Sequence, residues 1–399
     1  MLNIVGYELF ACTSGGKVLR FLKVTDADGV AGWAEYNENL ANSGVTSALR
    51  SFAELVKGRG SSPAAIIADL TARRAEARGG VGAQAVGALS NALLDLQARR
   101  AGLSVADLLG GALRERLPAY WSHCGMYRLP ANAESFGNTP VRTLDDLAEL
   151  GAEVRERGFR AFKTSLLPFG GDGALSESQM VTYWRSPGSD LFSDRAAIAS
   201  VERQLEAFRR GAGDDVLMML DANFLLRGDG NARLARSVER FDLAWLELDD
   251  HRVSSLRALK DSTTTPIASC ESLHRLEDYL PFLQAAAVDV AIVDVVWNGV
   301  VEGRQIARLA EAMSINVATH HFGGHLTTAM EAQFGATVPN LSILEVDVDI
   351  PAWFSDLVSE EPRFLDGELV VPPGPGWGID VNEEAVRAYA VDGSEFADL

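Results

Sequence analysis

Short apolar runs alternate with amphipathic stretches along the chain from Pro118 onward. In the stretches at 145–158 and 301–313, apolar side chains recur near the helical spacing of about 3.6 residues. The apolar runs occupy residues 118–123, 161–166, 216–222, 243–248, 266–271, 290–295, 315–320 and 341–346. A strand followed by a helix, repeated until eight strands are present, is typical of a TIM-type barrel. The pattern therefore predicts an α/β fold, a (β/α)7β barrel.

The region before the barrel has a different pattern. Residues 1–36 predict a small β-meander with turns at Ser14-Gly15-Gly16 and Asp28-Gly29, and residues 83–102 predict a helix that stops at Gly102. We therefore expect an α+β domain of about 115 residues ahead of the barrel, since a chain of this length exceeds one compact domain.

Two further segments depart from the repeat. The loop at 169–190 is too long for an ordinary connection between a barrel strand and its helix. It is either a lid or specificity element at the barrel rim or a surface insertion without a role. The tail at 351–399 contains the Pro/Gly-rich stretch 372–378, which predicts an irregular path back across the surface.

Composition narrows the functional classes. The chain carries 36 basic and 55 acidic residues, a net charge of −19, which repels nucleic acid and anionic membranes. No run is long enough for a membrane span, and the N-terminus lacks a signal-peptide pattern, so we expect a cytoplasmic protein. Cys12, Cys124 and Cys270 lie far apart in apolar surroundings and are predicted to be buried thiols.

Three of the central runs end in an acid at nearly even intervals: Asp221, Glu247 and Glu271. The carboxyl ends of parallel barrel strands form one rim, so the three carboxylates should converge there. Taken singly, each could be a helix N-cap or a solvated loop residue. Converging carboxylates repel one another unless a cation lies between them, and oxygen ligands suit Mg2+. The spacing therefore predicts a magnesium site.

Later runs add Asp294, His320 and Glu345 to the same rim. A carboxylate beside an imidazole fixes the tautomer and raises the basicity of the ring, which favours a general base poised near neutral pH. A structural histidine is the alternative for His320, and His321 leaves an ambiguity in the strand register.

These residues in this order resemble the enolase superfamily, and within it the mandelate racemase subgroup. The resemblance spans essentially the whole chain. It implies a capping domain at 1–116, a barrel at 117–350 and a C-terminal segment at 351–399 that returns over the capping domain. It also implies the following roles: metal ligands Asp221, Glu247 and Glu271, a base dyad of His320 and Asp294, and Glu345 as a hydrogen-bonding partner of the developing charge.

The resemblance further implies that Lys163 reaches the substrate carboxylate; a lysine whose stem packs in the barrel mouth is the alternative. Relatives often have Lys-x-Lys here, but this chain has Lys163-Thr164-Ser165. Ser165 cannot act as a comparable second base, which favours one-base chemistry.

Several assignments at the rim stay open from the sequence. Asp249 points to the same side of its strand as Glu247 and competes with it as a ligand, although the register favours Glu247. Asn223 is either a metal or substrate contact or a turn residue. His123 ends the first barrel run and could touch substrate, as could Ser165.

We expect a Mg2+-dependent dehydratase that takes the α-proton of an aldonic or aldaric acid and eliminates water to give a 2-keto-3-deoxy acid, as rhamnonate-dehydratase-like enzymes do. One histidine can act first as base and then as acid. The alternatives are a sugar-acid cycloisomerase or epimerase, and a non-catalytic acid-binding barrel. We also expect a homo-oligomer with a small-molecule substrate. The sequence does not identify the sugar, because specificity comes from loops such as Cys12–Lys17 and Asn37–Gly44.

Overall fold

The N-terminal part folds around a four-stranded antiparallel sheet with strand order β3-β2-β1-β4. The computed structural model describes residues 2–38, 42–176 and 191–391, with side chains of the helix at 191–212 from residue 195 onward. The sheet strands are β1 (Leu2–Cys12), β2 (Leu19–Asp26), β3 (Ala31–Tyr36) and β4 (Gly60–Ser61). The predicted meander is confirmed, with its second turn closed by Asp26 and Gly29.

Helices cover one face of this sheet. They are α1 (Val45–Val56), α2 (Pro63–Arg73), a 3-10 turn (Ala75–Arg78), α3 (Gly80–Ala101) and α4 (Val105–Leu108). Helix α3 ends at Gly102, whose φ of 65° is the left-handed conformation that glycine adopts without strain. Gly32 allows this helix to approach closely, because a Cβ there would lie 2.2 Å from the Ala92 carbonyl oxygen.

Eight parallel strands close into a barrel, because the last pairs with the first as well as with its predecessor. They are β5 (Arg116–Ser122), β6 (Ala161–Ser165), β7 (Leu217–Asp221), β8 (Trp245–Glu247), β9 (Ile267–Ser269), β10 (Val290–Val293), β11 (Asn316–Thr319) and β12 (Leu341–Asp347). Each overlaps one predicted run, so the predicted fold class is confirmed. We refer to β5–β12 as the first to eighth barrel strands.

Helices α5 to α13 follow or connect these strands and pack outside them. They are α5 (Pro130–Phe136), α6 (Leu144–Glu156), α7 (Leu191–Ala212), α8 (Asp229–Val238), α9 (Val253–Lys260), α10 (Arg275–Gln284), α11 (Val295–Asn298), α12 (Val300–Ala312) and α13 (His325–Ala336), with a 3-10 turn at Glu239–Phe241. Inside the barrel, Tyr120, Met219, Trp245 and Ile292 are buried in one apolar cluster. This cluster fills the barrel, so chemistry is confined to the rim above it.

The chain then returns toward the N-terminal sheet. Its elements are a 3-10 turn (Ala352–Leu357), β13 (Phe364–Leu365), β14 (Glu368–Val370) and α14 (Glu383–Tyr389). Strand β14 pairs antiparallel with the start of the first barrel strand. Trp377 is fully buried and its indole N–H donates to the Trp33 carbonyl oxygen at 2.7 Å. The predicted domain limits stay predictions.

A buried carboxylate joins the N-terminal sheet to the barrel. Glu35 accepts hydrogen bonds from the backbone N–H groups of Gly324 at 2.6 Å and Thr327 at 3.2 Å, where helix α13 begins. Backbone donors at a helix N-terminus lack partners within the helix, so Glu35 caps α13 from another domain. In the part of the chain that the structure describes, no helix combines the length and the apolar character needed to cross a bilayer.

Candidate active site

The predicted acids of the third, fourth and fifth barrel strands converge. Asp221, Glu247 and Glu271 each offer a carboxylate oxygen within 4.8 Å of the others. Strand register accounts for this, because Asp221 and Glu247 are paired across neighbouring strands. A tight turn orients the first of them: Asn223, with φ of 45°, donates its backbone N–H to Asp221 at 2.8 Å. Asn223 thus acts as a turn residue, and its predicted contact with substrate stays a prediction.

The charges of these acids are poorly compensated. Burial, reinforced by Asp221 and Glu271, raises the pKa of Glu247 to about 8 despite the nearby Lys163 ammonium. Burial also raises the pKa of Glu271 well above its usual range. Among the described residues, Glu247 Oε1 is buried without a hydrogen-bond partner. An oxygen-only donor set with an unpartnered buried oxygen fits a hard divalent cation.

Asp249, the competing ligand, lies outside this convergence. It belongs neither to the fourth strand nor to the group of carboxylates within 4.8 Å. Burial raises its pKa to about 6, partly offset by a hydrogen bond with Glu271. This geometry is the one expected if Glu247 is the ligand, with Asp249 as a hydrogen-bonding neighbour of Glu271.

Lys163, on the second strand, lies between the metal-site acids and the eighth strand. Its ammonium is 3.0 Å from Glu247 Oε2, 3.0 Å from Glu345 Oε1 and 3.7 Å from Asp221 Oδ2. Burial alone would lower the pKa of Lys163, but Glu247 and Glu345 outweigh it and hold the pKa well above its usual range. Lys163 is thus a permanent cation at the rim, positioned by acids rather than by packing of its stem alone.

His320 ends the seventh strand with its ring fixed by Asp294. Nδ1 is 2.6 Å from Asp294 Oδ2, and Nε2 faces Glu271 Oε2 at 3.8 Å. The indole of Trp297 packs against the ring with centroids 4.9 Å apart. The bond at Nδ1 fixes the tautomer and directs Nε2 toward the metal-site acids.

The pKa of His320 differs from the expected value near neutral. Burial would lower this pKa, but Glu271 and Asp294 raise it to about 10. The largest single raising contribution comes from Glu271, which is a predicted metal ligand. A cation that neutralised Glu271 would therefore bring the pKa down toward the range of a general base.

The structure separates the two adjacent histidines. His321 is buried with its Nε2 3.0 Å from Thr328 Oγ1, while its backbone N–H donates to Glu345 Oε2 at 2.7 Å. Its ring faces away from the three acids. The strand register places His320, not His321, at the site.

Glu345 has partners at both of its carboxylate oxygens. It accepts from the Ser122 hydroxyl and the His321 backbone N–H, and it pairs with Lys163. Burial would raise its pKa, but Lys163 and His320 outweigh it and lower the pKa to about 2. Glu345 is therefore held as an ionised carboxylate by these partners, and its predicted role toward the developing charge stays a prediction.

Ser165 and the loop at 169–190 complete the predicted set. The Ser165 hydroxyl lies 3.6 Å from the Met126 sulfur, and the residue is buried. Among the described residues, this hydroxyl bonds to a thioether, which cannot deprotonate it, as expected if Ser165 is not a base. Residues 177–190 of the loop lie outside the described residues.

The structure also brings together a group of residues at the first and eighth strands that the sequence did not predict as a cluster. We call it the eighth-strand cluster: Asp347, His123, Tyr127 and Lys17. His123 Nδ1 is 2.7 Å from Asp347 Oδ1, and Lys17 Nζ is 3.1 Å from Asp347 Oδ2. Asp347 lies two residues beyond Glu345 on the same strand, which is the one signal that pointed to it.

A second contact from the N-terminal domain reaches the His320 side of the rim. The Asn37 side chain accepts from the Trp297 indole N–H at 3.0 Å and donates to the Phe322 carbonyl oxygen at 2.7 Å. Asn37 thereby holds the indole that packs on His320. Both predicted specificity loops, of which residues 39–41 are not described, thus contribute a residue to the rim.

Comparisons with known proteins agree with this architecture. Residues 146–385 match the enolase C-terminal domain-like family, and residues 8–110 match the N-terminal domain family of mandelate racemase and muconate lactonizing enzyme. A Burkholderia xenovorans strain LB400 protein, described as a candidate L-alanine-DL-glutamate epimerase and bound to magnesium and fumarate, is 37% identical. It superposes with a TM-score of 0.92 over 98% of this chain and 97% of its own.

Two curated relatives act on sugar acids by name. The D-gluconate dehydratase of Thermoproteus tenax is 30% identical over 317 residues, 78% of this chain, and the match spans 57% of the relative's length. The D-xylonate dehydratase of Haloferax volcanii is 29% identical over 330 residues, 80% of this chain and 73% of the relative.

Proposed function

The chain belongs to the mandelate racemase subgroup of the enolase superfamily, and we propose that it is a hydro-lyase acting on a sugar acid. The proposed reaction removes the α-proton of an aldonic or aldaric acid and eliminates the C3 hydroxyl as water, giving a 2-keto-3-deoxy acid. The orientation of the His320 ring is the observation that carries the proposal. Its Nε2 faces the three converging acids, while Asp294 holds the other ring nitrogen.

Each residue of the site has a separate role in the proposed reaction. His320 takes the α-proton, and Asp294 stabilises the imidazolium that results. A Mg2+ ion held by Asp221, Glu247 and Glu271 would bind the substrate carboxylate and supply positive charge that makes the α-proton more acidic. Lys163 donates a hydrogen bond to the same carboxylate, and its ammonium already lies within the group of acids.

Dehydration is favoured over epimerisation by what stands opposite His320. An epimerase must remove a proton on one face of the α-carbon and deliver one on the other, which needs a second base. Ser165 stands at the sequence position of that base, and among the described residues its hydroxyl bonds to a thioether. Curated relatives that dehydrate sugar acids support the same choice, whereas the Burkholderia neighbour keeps epimerisation as the second candidate.

A substrate screen tests the proposal. Purified protein with Mg2+ is incubated with D-gluconate, D-xylonate, D-galactonate, D-mannonate and the corresponding aldaric acids, and 2-keto acid is measured with semicarbazide. At least one acid should yield 2-keto acid, and EDTA treatment or His320→Asn should abolish the signal. Formation of a C2 epimer or a lactone isomer without 2-keto acid would favour the alternatives. No α-proton exchange in D2O with any acid would indicate a non-catalytic barrel.

The remaining expectations are also proposals. We infer a cytoplasmic location from the three buried, unpaired thiols. The net charge of −19 disfavours nucleic acid as a partner. A homo-oligomer is expected, and light scattering of the purified protein would test it.

A further inference from the structure

Two histidines at the rim share one geometry. His320 Nδ1 lies 2.6 Å from Asp294 Oδ2, and His123 Nδ1 lies 2.7 Å from Asp347 Oδ1. In each case the bond to the carboxylate fixes the ring and leaves Nε2 free to exchange a proton. No hydrogen bond among the described residues ends on His123 Nε2.

The position of His123 is enforced by its surroundings. Its φ of 49° is uncommon for a non-glycine residue, and such backbone strain concentrates at functional sites. The ring stacks on Tyr127 with centroids 4.5 Å apart and meets Phe322 edge-on at 6.0 Å. Its side chain keeps 16% exposure. The imidazole is therefore held in one orientation yet can exchange protons with solvent.

His123 is connected to the proposed reaction site. The Ser122 hydroxyl bridges His123 Nδ1, at 3.2 Å, and Glu345, which pairs with Lys163 at 3.0 Å. The strands that carry His123 and His320 flank the eighth strand on its two sides. Neighbouring strands lie about 4.8 Å apart, so the two strand ends are separated by about 10 Å.

The charge around His123 suits a proton donor. Asp347 is fully buried and faces Lys17, the Tyr127 hydroxyl and His321 as well as His123. Burial would raise the pKa of Asp347, but Lys17 and His123 hold it well below its usual range, so the carboxylate stays ionised. Nδ1 faces this ionised carboxylate, so Nε2 is the ring nitrogen placed to transfer a proton to a substrate.

We propose that His123, positioned by Asp347, is the general acid that protonates the leaving hydroxyl. The assignment rests on the proposed dehydration and replaces His320 in that second role. His320 takes the α-proton, the electrons of the broken C2–H bond form the C2–C3 double bond, and the C3–O bond breaks as the oxygen takes a proton from His123 Nε2. Water leaves, and the enol becomes the 2-keto acid by gaining a proton at C3 and losing the enol O–H proton. Solvent returns one proton to His123 and removes one from His320.

The test separates the two proton transfers. His123→Asn removes the acid while asparagine tolerates the left-handed backbone, and His251→Asn removes an exposed histidine elsewhere on the rim as control. The substrate is the aldonate from which the wild type forms most 2-keto acid. In His123→Asn, 2-keto acid formation should fall about 100-fold or more, the usual worth of a general acid. Recovered substrate in D2O should nevertheless gain deuterium at C2, because His320 still works.

A leaving group that needs no proton provides a second measurement. Fluoride release from the 3-deoxy-3-fluoro analogue of the same aldonate should stay within about threefold of wild type in His123→Asn. The thermal midpoint of the variant, with and without Mg2+, should match that of the control.

Equal loss of C2 exchange and elimination in His123→Asn, or full elimination activity in it, would overturn the assignment. A wild type that exchanges the C2 proton but never forms 2-keto acid would overturn the proposed dehydration itself, and with it this role of His123.

Discussion

Two groups of acids on one rim are in opposite electrostatic states. Asp221, Glu247 and Glu271 converge with a buried oxygen lacking any partner, and pKa values are raised at Glu247 and Glu271. Glu345 and Asp347, on the eighth strand, are also buried, but their pKa values are lowered. Lys163 is shared by the two groups, because it lies 3.0 Å from both Glu247 and Glu345. The difference lies in the further donors on the eighth strand: Lys17 and His123 at Asp347, and the Ser122 hydroxyl and the His321 backbone N–H at Glu345.

The protein neutralises the negative charge of one group of acids with its own cations and leaves the negative charge of the other group for a bound ligand. The eighth-strand acids are satisfied by the protein's own cations and serve to orient histidines. The other three repel one another, and the raised pKa values of Glu247 and Glu271 favour bound protons that a divalent cation would displace. Each prediction below tests one side of this contrast.

Removing one converging acid should have the largest effect. Glu271→Gln should lower turnover by about 1,000-fold, or about 4 kcal/mol in the barrier, since the bound metal contributes several kcal/mol of charge stabilisation. It should also weaken the Mg2+-induced rise in thermal midpoint. Glu345→Gln is the matched control: it should keep the thermal response to Mg2+. Full activity in enzyme shown by elemental analysis to contain no metal would rule out the metal site.

Replacing the proposed base should cause the next largest loss of turnover. His320→Asn should cost roughly 3 kcal/mol in the barrier, a loss of about 100-fold or more. His321→Asn should lose far less, because that ring faces Thr328. Steady-state kinetics and C2 deuterium exchange measure both. Comparable losses at the two positions would show that the strand register assigned to His320 is wrong.

Metal affinity should depend on pH in one direction. The pKa of Glu247 is raised to about 8, so below that pH a bound proton competes with the cation and affinity falls as the pH falls. The apparent dissociation constant for Mg2+ should rise about tenfold per pH unit for each proton displaced. Calorimetric titrations at pH 6, 7 and 8 measure it, with Glu247→Gln as the control that should make the profile shallower. A constant affinity across this range would contradict the prediction.

Asp249 should matter less than the three ligands. Asp249→Asn should change Mg2+ affinity by less than about tenfold, the lower end of what loss of an outer partner costs. The same titration, run beside Glu247→Gln, decides the assignment. If Asp249→Asn lost more affinity than Glu247→Gln, Asp249 would be the ligand.

Ser165 should give the smallest effect. Ser165→Ala should keep turnover within about threefold, because removing one hydroxyl contact costs about 1 kcal/mol at most here. Product formed in D2O should carry deuterium with a single stereochemistry, and NMR should detect no C2 epimer of the substrate. Both epimers at equilibrium, or loss of all turnover, would move the epimerase proposal to first place.

The sequence predicted the features that local patterns determine, which are the strands and the acids at their ends. Eight runs gave eight strands, and the acids that end three of them converge because parallel strands share one rim. The sequence alone could not decide between Glu247 and Asp249 or between His320 and His321, because the alternation of apolar and polar side chains does not say where a strand ends.

Contacts between distant segments could not be predicted from the sequence. Lys17 and Asp347 are 330 residues apart, and nothing in the loop Cys12–Lys17 indicates which rim residue it reaches. The raised pKa of His320 likewise depends on Glu271, which lies on another strand. Periodicity carries no information about such neighbours.

The cap that Glu35 places on helix α13 has a consequence for building chimeras. Swapping N-terminal domains among relatives is an obvious way to transplant specificity, because both loops that reach the rim come with that domain. Such a swap also replaces the carboxylate that holds the backbone at Gly324 and Thr327, four and seven residues beyond His320. A transplanted domain without an acid at this position would loosen the segment behind the base, so graft compatibility can be judged at one residue before any loop is compared.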